Sequence, residues 1–417
     1  MKNKKRLTIL IGAGAVMDAS KDCGREISTK SITEDSFTNI KYDAAKELLS
    51  LIRDDLVSDY SRYNKTPNFE DLFHALEILK SAYTINSGAP EYKPMYKYLM
   101  DIKEKFKKYD PYLKGKLLNN EFGLSVSFAQ SAIIESIQES VESYSDSQIP
   151  NWYETFFNNL KEHYNLDIFT LNYDTWFEQM FDSYNDGFYD ANKDSQFFKF
   201  SPAKIINSES EINIHHMHGQ IDFRSCIGVE DPRIMFDDQE LGTIYKIKNP
   251  KLTKRELDPA CGDHTTQAGD HLKSCPIITG KMKIEKTIYP PLDAYRTNFN
   301  NCIVKNSNIL IIGYGFADYY IDSLLSQFHD IHGDDTRVNI VDFADSNHWR
   351  DTSSPFGMEG HKLHTIYGLC KDISIEPQNI RKYSPIFNFD NNHFHLYLKG
   401  FKNTVNEDTR NIINSYN

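Results

Sequence analysis

Two rhythms of apolar and polar positions run along the chain. Residues 6–11, RLTILI, form a short β-rich apolar run that ends in Gly12-Ala13-Gly14, a turn that lets backbone approach a phosphate. Over residues 43–161 the rhythm becomes helical. Phe69, Leu72, Phe73, Leu76 and Leu79 recur three and four apart, with Asn68 placed to cap that helix and Asp71 in its first turn. Apolar runs return at 166–171, before Asn172-Tyr173-Asp174 and a helix opened by Trp176 and Phe177, and at 212–217, before His218-Gly219. Another at 308–312 enters Gly313-Tyr314-Gly315-Phe316-Ala317-Asp318 and a helix over 319–328; the last, at 337–341, ends at Asp342. Strand, glycine turn, helix, strand is the βαβ order of a parallel sheet. The pattern predicts an α/β protein with a Rossmann-like parallel sheet built from residues 1–42, 162–223 and 302–345. A large helical insertion is expected over 43–161, a small irregular module rich in Cys, Gly and Pro over 224–301, and a peripheral C-terminal segment over 346–417.

Composition narrows the function classes. Among 417 residues, 40% are apolar, with 25 Tyr and 26 Phe, which argues for a packed core. No run of 18 apolar residues occurs, so no membrane span is predicted. With 47 basic and 59 acidic side chains the formal charge is -12, which repels a phosphate backbone, and direct nucleic-acid binding is not expected. The basic run at 103–116 is interrupted by Glu104 and Asp110 and reads as a solvated helix face. Lys2, Lys4, Lys5 and Arg6 before LTILIGAGAVM imitate a secretory signal, but the apolar run is short and broken by glycine, and later runs give it strand partners. Six cysteines without a regular framework fit a reducing compartment, so a cytoplasmic protein is expected.

In an open α/β sheet, ligands bind beyond the carboxyl ends of the strands. The residues there are Gly12-Ala13-Gly14, Asn172, Asp174, His218, Gly313, Gly315 and Asp342: two glycine turns, an amide, a histidine and two acids, which suit a dinucleotide. Singly, each is a weak signal. Met17 stands where a dehydrogenase fingerprint has its third glycine. His215 and His216 fall inside their strand, whereas His218 reaches its end. Asn172 also suits an ordinary turn, Asp71 reads as a helix-capping acid, and Asp174 stands open between a catalytic acid and a cap.

As a set, GAG, LNYD, HG and GYGxxD, in this order and at strand ends, resemble the sirtuin (silent information regulator 2) superfamily, and more closely the bacterial sirtuin-like domains that hydrolyse NAD in antiviral defence. The resemblance spans residues 6–20, 165–180, 212–223 and 306–342, with NFEDLF at 68–73 as a further block. It implies that Gly12, Ala13 and Gly14 hold the pyrophosphate region, that Asn172 faces the nicotinamide ribose with Asp174 beside it, and that His218 is the general base. Gly313, Gly315 and Asp342 would hold the adenosine half. Val16 replaces the serine that often follows GAG, Leu171 replaces a glutamine, and the GIPxFR stretch and paired CxxC zinc motifs of most protein deacylases are absent. The resemblance therefore implies an NAD hydrolase, with NAD as substrate rather than recycled cofactor. A protein deacylase and a non-catalytic NAD or ADP-ribose sensor are the alternatives. It further implies a homo-oligomer and, as partners, a HerA-like ATPase, an Argonaute or a phage-derived activator. Cys261, His264, His271 and Cys275 place four zinc-type ligands within fifteen positions, but with no CxxC the set reads as a polar loop, and no metal site is assigned.

Overall fold

The computed structural model describes residues 4–25, 27–60, 66–84, 121–190, 197–206, 208–226, 244–247, 263–265, 271–273, 277–280, 283, 287, 290–343, 365–366, 368–369, 386–388 and 393–416. Six parallel strands form the main sheet. They are β1 (Arg6–Ile11), β2 (Asn165–Thr170), β5 (Ile212–His216), β10 (Asn308–Ile312), β11 (Arg337–Val341) and β13 (Phe394–Tyr397), with β12 (Ile386–Asn388) added antiparallel at one edge. Across the sheet they lie β5-β2-β1-β10-β11-β13. Numbered by chain order, that is 3-2-1-4-5-6, the doubly wound Rossmann arrangement, whose strand order reverses between β1 and β10. In β1, β2, β5, β10 and β11 every position after the first is buried or the whole strand is, as a parallel sheet covered on both faces requires.

The helical rhythm after β1 becomes α1 (Gly14–Asp22), α2 (Thr29–Asn39), α3 (Asp43–Tyr60), α4 (Phe69–Thr84), α5 (Glu121–Ser145) and α6 (Asn151–His163). The basic run at 103–116 lies outside the described residues. At the start of α4 the predicted cap is in place. Asn68 Oδ1 accepts the N–H groups of Glu70 and Asp71 at 2.9 and 3.2 Å, and Asp71 returns a bond by accepting the Asn68 N–H at 3.0 Å. Among the described residues no helix is long and apolar enough to cross a membrane.

Two regions differ from the sequence reading. The segment expected to be irregular contributes to a second, antiparallel sheet of β3 (Phe188–Tyr189), β4 (Phe197–Phe200), β7 (Ile244–Ile247), β6 (Phe223–Cys226), β9 (His271–Lys273) and β8 (Asp263–Thr265), in that order. Strands this short carry too few positions for an alternation to stand out. After α7 (Trp176–Met180) and α8 (Pro202–Ile205), helix α9 (Leu292–Lys305) returns to the main sheet and buries Tyr295 and Phe299.

The C-terminal segment is likewise not peripheral. β13 pairs in parallel with β11, and α12 (Phe401–Asn414), which follows α10 (Tyr319–Leu325) and α11 (Phe328–His332), puts Phe401 edge-on to Trp152, Tyr153 and Phe156 at 5.3–5.6 Å between ring centres. β13 is a four-residue run broken by the polar His395, so the chain pattern alone hid the sixth parallel strand, although Gly400 at φ +86° stands between it and α12.

Candidate active site

The two glycine turns meet at the point where the strand order reverses. Gly12 donates its N–H to Ile312 O and Gly14 donates to Gly313 O, both at 2.9 Å, so the turn after β1 rests on the turn after β10. A Cβ on Gly313 would lie 2.1 Å from Ala15 N and 2.4 Å from Gly14 C, and Gly313 has φ +60°, so only glycine permits this approach. Ala13 is exposed on the first turn, and Gly315 faces open space.

β2 and β5 are neighbours, with Thr170 opposite His216, so Asn172 and His218 each stand two residues past paired strand ends. Asn172 is buried, and its Nδ2 donates to Gly12 O at 3.2 Å. That bond holds the amide against the first glycine turn. His218 is buried at the edge of a small cleft that Met217, Lys283, Thr287, Arg296, Asp318 and Tyr320 also line. Its Nε2 lies 3.0 Å from Asp318 Oδ2. Burial pushes the imidazole below its usual range, and the positive charge of Lys283 adds to the shift against the opposing pull of Asp318. His218 is thus a neutral ring at neutral pH. Burial alone would raise Asp318, but the bond and charge of His218, the charge of Lys283 and the Ile321 N–H together outweigh it, and the carboxyl sits below its ordinary range. A larger hollow, of about 100 Å³, includes Arg6 and Asp167 near the amino ends of β1 and β2, at the opposite end of the strands from these residues.

Asp174 is brought beside Asn172 in sequence but is otherwise engaged. Its Oδ1 accepts the Trp176 N–H and its Oδ2 the Tyr144 hydroxyl, both at 3.1 Å, and burial raises its pKa. This geometry favours a local turn at the start of α7 over direct chemistry. At the far side of the switch point, Asp342 follows β11; its Oδ1 accepts the Phe343 N–H at 2.8 Å.

The neighbouring histidines have other duties. His215 stacks on Phe169 at 4.2 Å, and burial pushes its pKa down to about 3. His216 Nε2 lies 2.8 Å from Glu178 Oε1, and its Nδ1 lies 3.4 Å from the Asn172 carbonyl. Glu178 Oε1 also accepts from Gln220 Nε2 at 2.9 Å and Lys246 Nζ at 3.2 Å, and Lys246 reaches Asp186 Oδ2 at 2.7 Å. This buried charge network joins the second sheet to the strand ends. Sequence reasoning gave no role to Glu178, Lys246, Lys283 or Arg296. It quoted Asp318 within GYGxxD without a partner.

No family model and no curated protein matches the chain. Among the solved structures similar to the chain are three that are each the ADP-ribose complex of a variant of a Sir2 homologue. They are 13–14% identical, cover 90% of this chain and 95% of theirs, and superpose with TM-scores of 0.34, 0.36 and 0.34.

Of the proposed zinc ligands, Cys261 and Cys275 lie outside the described residues, and only the backbone of His264 and His271 is described, in β8 and β9. Among the described residues, no cluster of three or more His, Cys, Asp or Glu could hold a metal ion.

Proposed function

We propose that the chain binds NAD across the β1/β10 crevice and hydrolyses the bond between nicotinamide and ribose, releasing nicotinamide and ADP-ribose. The observation that carries this reading is the placement of Asn172 and His218 at the ends of adjacent strands, with Asn172 bonded to the Gly12 turn. Nicotinamide departs as a neutral base and the ribose develops oxocarbenium character, so a neutral polar floor that excludes water helps more than a bulk-solvated one. Asn172 supplies an uncharged amide for the ribose hydroxyls or the attacking water. His218, buried and neutral, takes the proton from that water. Gly12, Ala13 and Gly14 approach the pyrophosphate, and Gly313, Gly315 and Asp342 the adenosine half. By the same motif resemblance we infer a cytoplasmic, oligomeric enzyme that depletes NAD in antiviral defence when a partner or phage-derived trigger activates it.

Incubation with NAD, followed by chromatography for nicotinamide and ADP-ribose, tests the reading. Release without any acylated peptide is expected, in the presence of the activating partner where the isolated chain is silent. Release only with an acylated peptide would make it a deacylase. Binding without turnover, partner included, would make it a sensor.

Cofactor preference follows from Asp342. A carboxylate at the end of β11 accepts hydrogen bonds from adenosine ribose hydroxyls and repels a 2′-phosphate. NAD should therefore turn over at least about tenfold faster than NADP, roughly 1.4 kcal/mol of discrimination. Asp342→Ala should narrow that ratio. Equal turnover of the two by the unaltered chain would place Asp342 outside the adenosine site.

A further inference from the structure

The motif resemblance assigns the Gly313–Asp318 turn to the adenosine half of the ligand, yet the last residue of that turn meets the ring of His218. We infer that Asp318 is a positioning residue: it fixes the proton of His218 on Nε2 and leaves Nδ1 as the base of the proposed NAD cleavage, the reading on which this inference rests.

The two oxygens of Asp318 divide their work. Oδ1 accepts the N–H groups of Tyr320 and Ile321 at 3.1 and 3.3 Å, capping α10, while Oδ2 lies 3.0 Å from His218 Nε2. The backbone is held as well: the Tyr314 hydroxyl accepts the Asp318 N–H at 3.2 Å and donates to Asp322 Oδ1 at 2.7 Å. Phe316, inside the turn, has φ +54°, a left-handed conformation that costs a non-glycine residue free energy and persists only where its surroundings enforce it. An ionised carboxylate only accepts, so Nε2 must donate. A neutral imidazole has one N–H, and Nδ1 then carries the lone pair. Among the described residues nothing bonds Nδ1, and the ring lines the cleft. The other charged groups around the cleft are Lys283, paired with Glu70 of α4 at 3.0 Å, and Arg296 of α9. Burial and the charge of Lys283 oppose protonation of the ring, against the pull of Asp318 and Glu70, and the net effect lowers its pKa.

Asp318→Asn gives the sharpest test. The two N–H groups at the start of α10 require an oxygen, so the amide must turn its NH2 toward His218. Nε2 then becomes the acceptor, and the proton moves to Nδ1. The helix cap and the shape survive while the base is lost. Nicotinamide release should fall on the order of 10⁴-fold, the effect of the same acid-to-amide change in a serine-protease triad, with unchanged thermal stability. Full-length protein carrying ¹⁵N-histidine reads the tautomer directly, with the His218 signals assigned by their absence from His218→Gln. The unaltered chain should show Nε2–H and Asp318→Asn should show Nδ1–H. Asp318→Ser, which keeps a capping oxygen but leaves Nε2 without its partner, should show mixed tautomers and an intermediate rate. A proton on Nδ1 in the unaltered chain, or an Asp318→Asn protein with unchanged tautomer and rate, overturns the inference. An inverted tautomer in a chain that never cleaves NAD, activating partner included, keeps the positioning and overturns the NAD reading.

Discussion

His218→Ala should lower nicotinamide release by about 10²- to 10⁴-fold while the protein stays folded, because a positioned general base contributes that much and little of the core depends on it. His218 stands at the strand end, beyond the last β5 pairing, so its removal breaks no ladder bond; its own carbonyl still accepts the Ile278 N–H at 2.8 Å. Asn172→Ala should produce a loss of similar size. It breaks the bond to Gly12 O but leaves the Gly313 turn and Asp342 to hold the other end of the dinucleotide, so ADP-ribose binding, measured by calorimetry, should survive better than turnover. The neighbouring His216 is no neutral comparison. It bridges Glu178 and the Asn172 carbonyl, so its loss disturbs the site from behind. His163, exposed on α6, serves instead, and His163→Ala should keep full activity. Near-normal cleavage by a folded His218→Ala protein would remove His218 from the mechanism.

The parallel core was legible because each of its first five strands couples a continuous apolar run to a turn residue that could serve little else. Gly313 illustrates this: the glycine is compulsory where two backbones come within contact of one another. β13 is short and broken by His395, and although Gly400 follows it, its four residues could equally have been loop, so the sixth strand emerges only from its pairing with β11. The second sheet was hidden for a similar reason, being made of strands of two to four residues far apart in the chain. The placement of Asn172 and His218 just past neighbouring strand ends could be read from the sequence, because each closes an apolar run. Their support could not. Asp318 is one hundred residues from His218, and Glu178 and Lys246 meet through the fold of the second sheet. Nothing local distinguishes Lys246 from an exposed strand lysine. Asp174 shows the reverse limit: its position in the motif invites chemistry, while its two oxygens serve Trp176 and Tyr144.

Lys246→Met should cost about 3–5 kcal/mol of stability, the usual consequence of removing one partner from a buried ionic group. The Lys246 side chain is 8% exposed, and its ammonium serves Asp186 at 2.7 Å and Glu178 at 3.2 Å, carboxylates equally buried. Among the described residues, Oε2 of Glu178 is buried without a partner, so this carboxylate depends on what reaches Oε1. Methionine fills similar volume, so the loss reports charge rather than a cavity. Burial alone would raise the Glu178 carboxyl, but Lys246 and His216 together hold it well below the ordinary carboxylate range. A depressed folded-state pKa contributes stability that is present above the unfolded value, about 4.3 for a glutamate, and is lost as pH falls through the folded one. Without Lys246 the shift reverses: burial and the nearby Asp186 raise the Glu178 carboxyl, folding takes up a proton, and the variant loses stability as pH rises through that raised value. The gap between the two proteins should therefore be widest at pH 7 to 8 and should narrow as pH falls toward 4. Urea unfolding followed across that range measures it directly. A gap below about 1 kcal/mol at pH 7 would mean that the network contributes no more than an exposed ion pair. The second sheet would then be held to the strand ends by apolar contacts and by neutral hydrogen bonds such as that from the Ile221 N–H to the Tyr173 carbonyl at 3.0 Å.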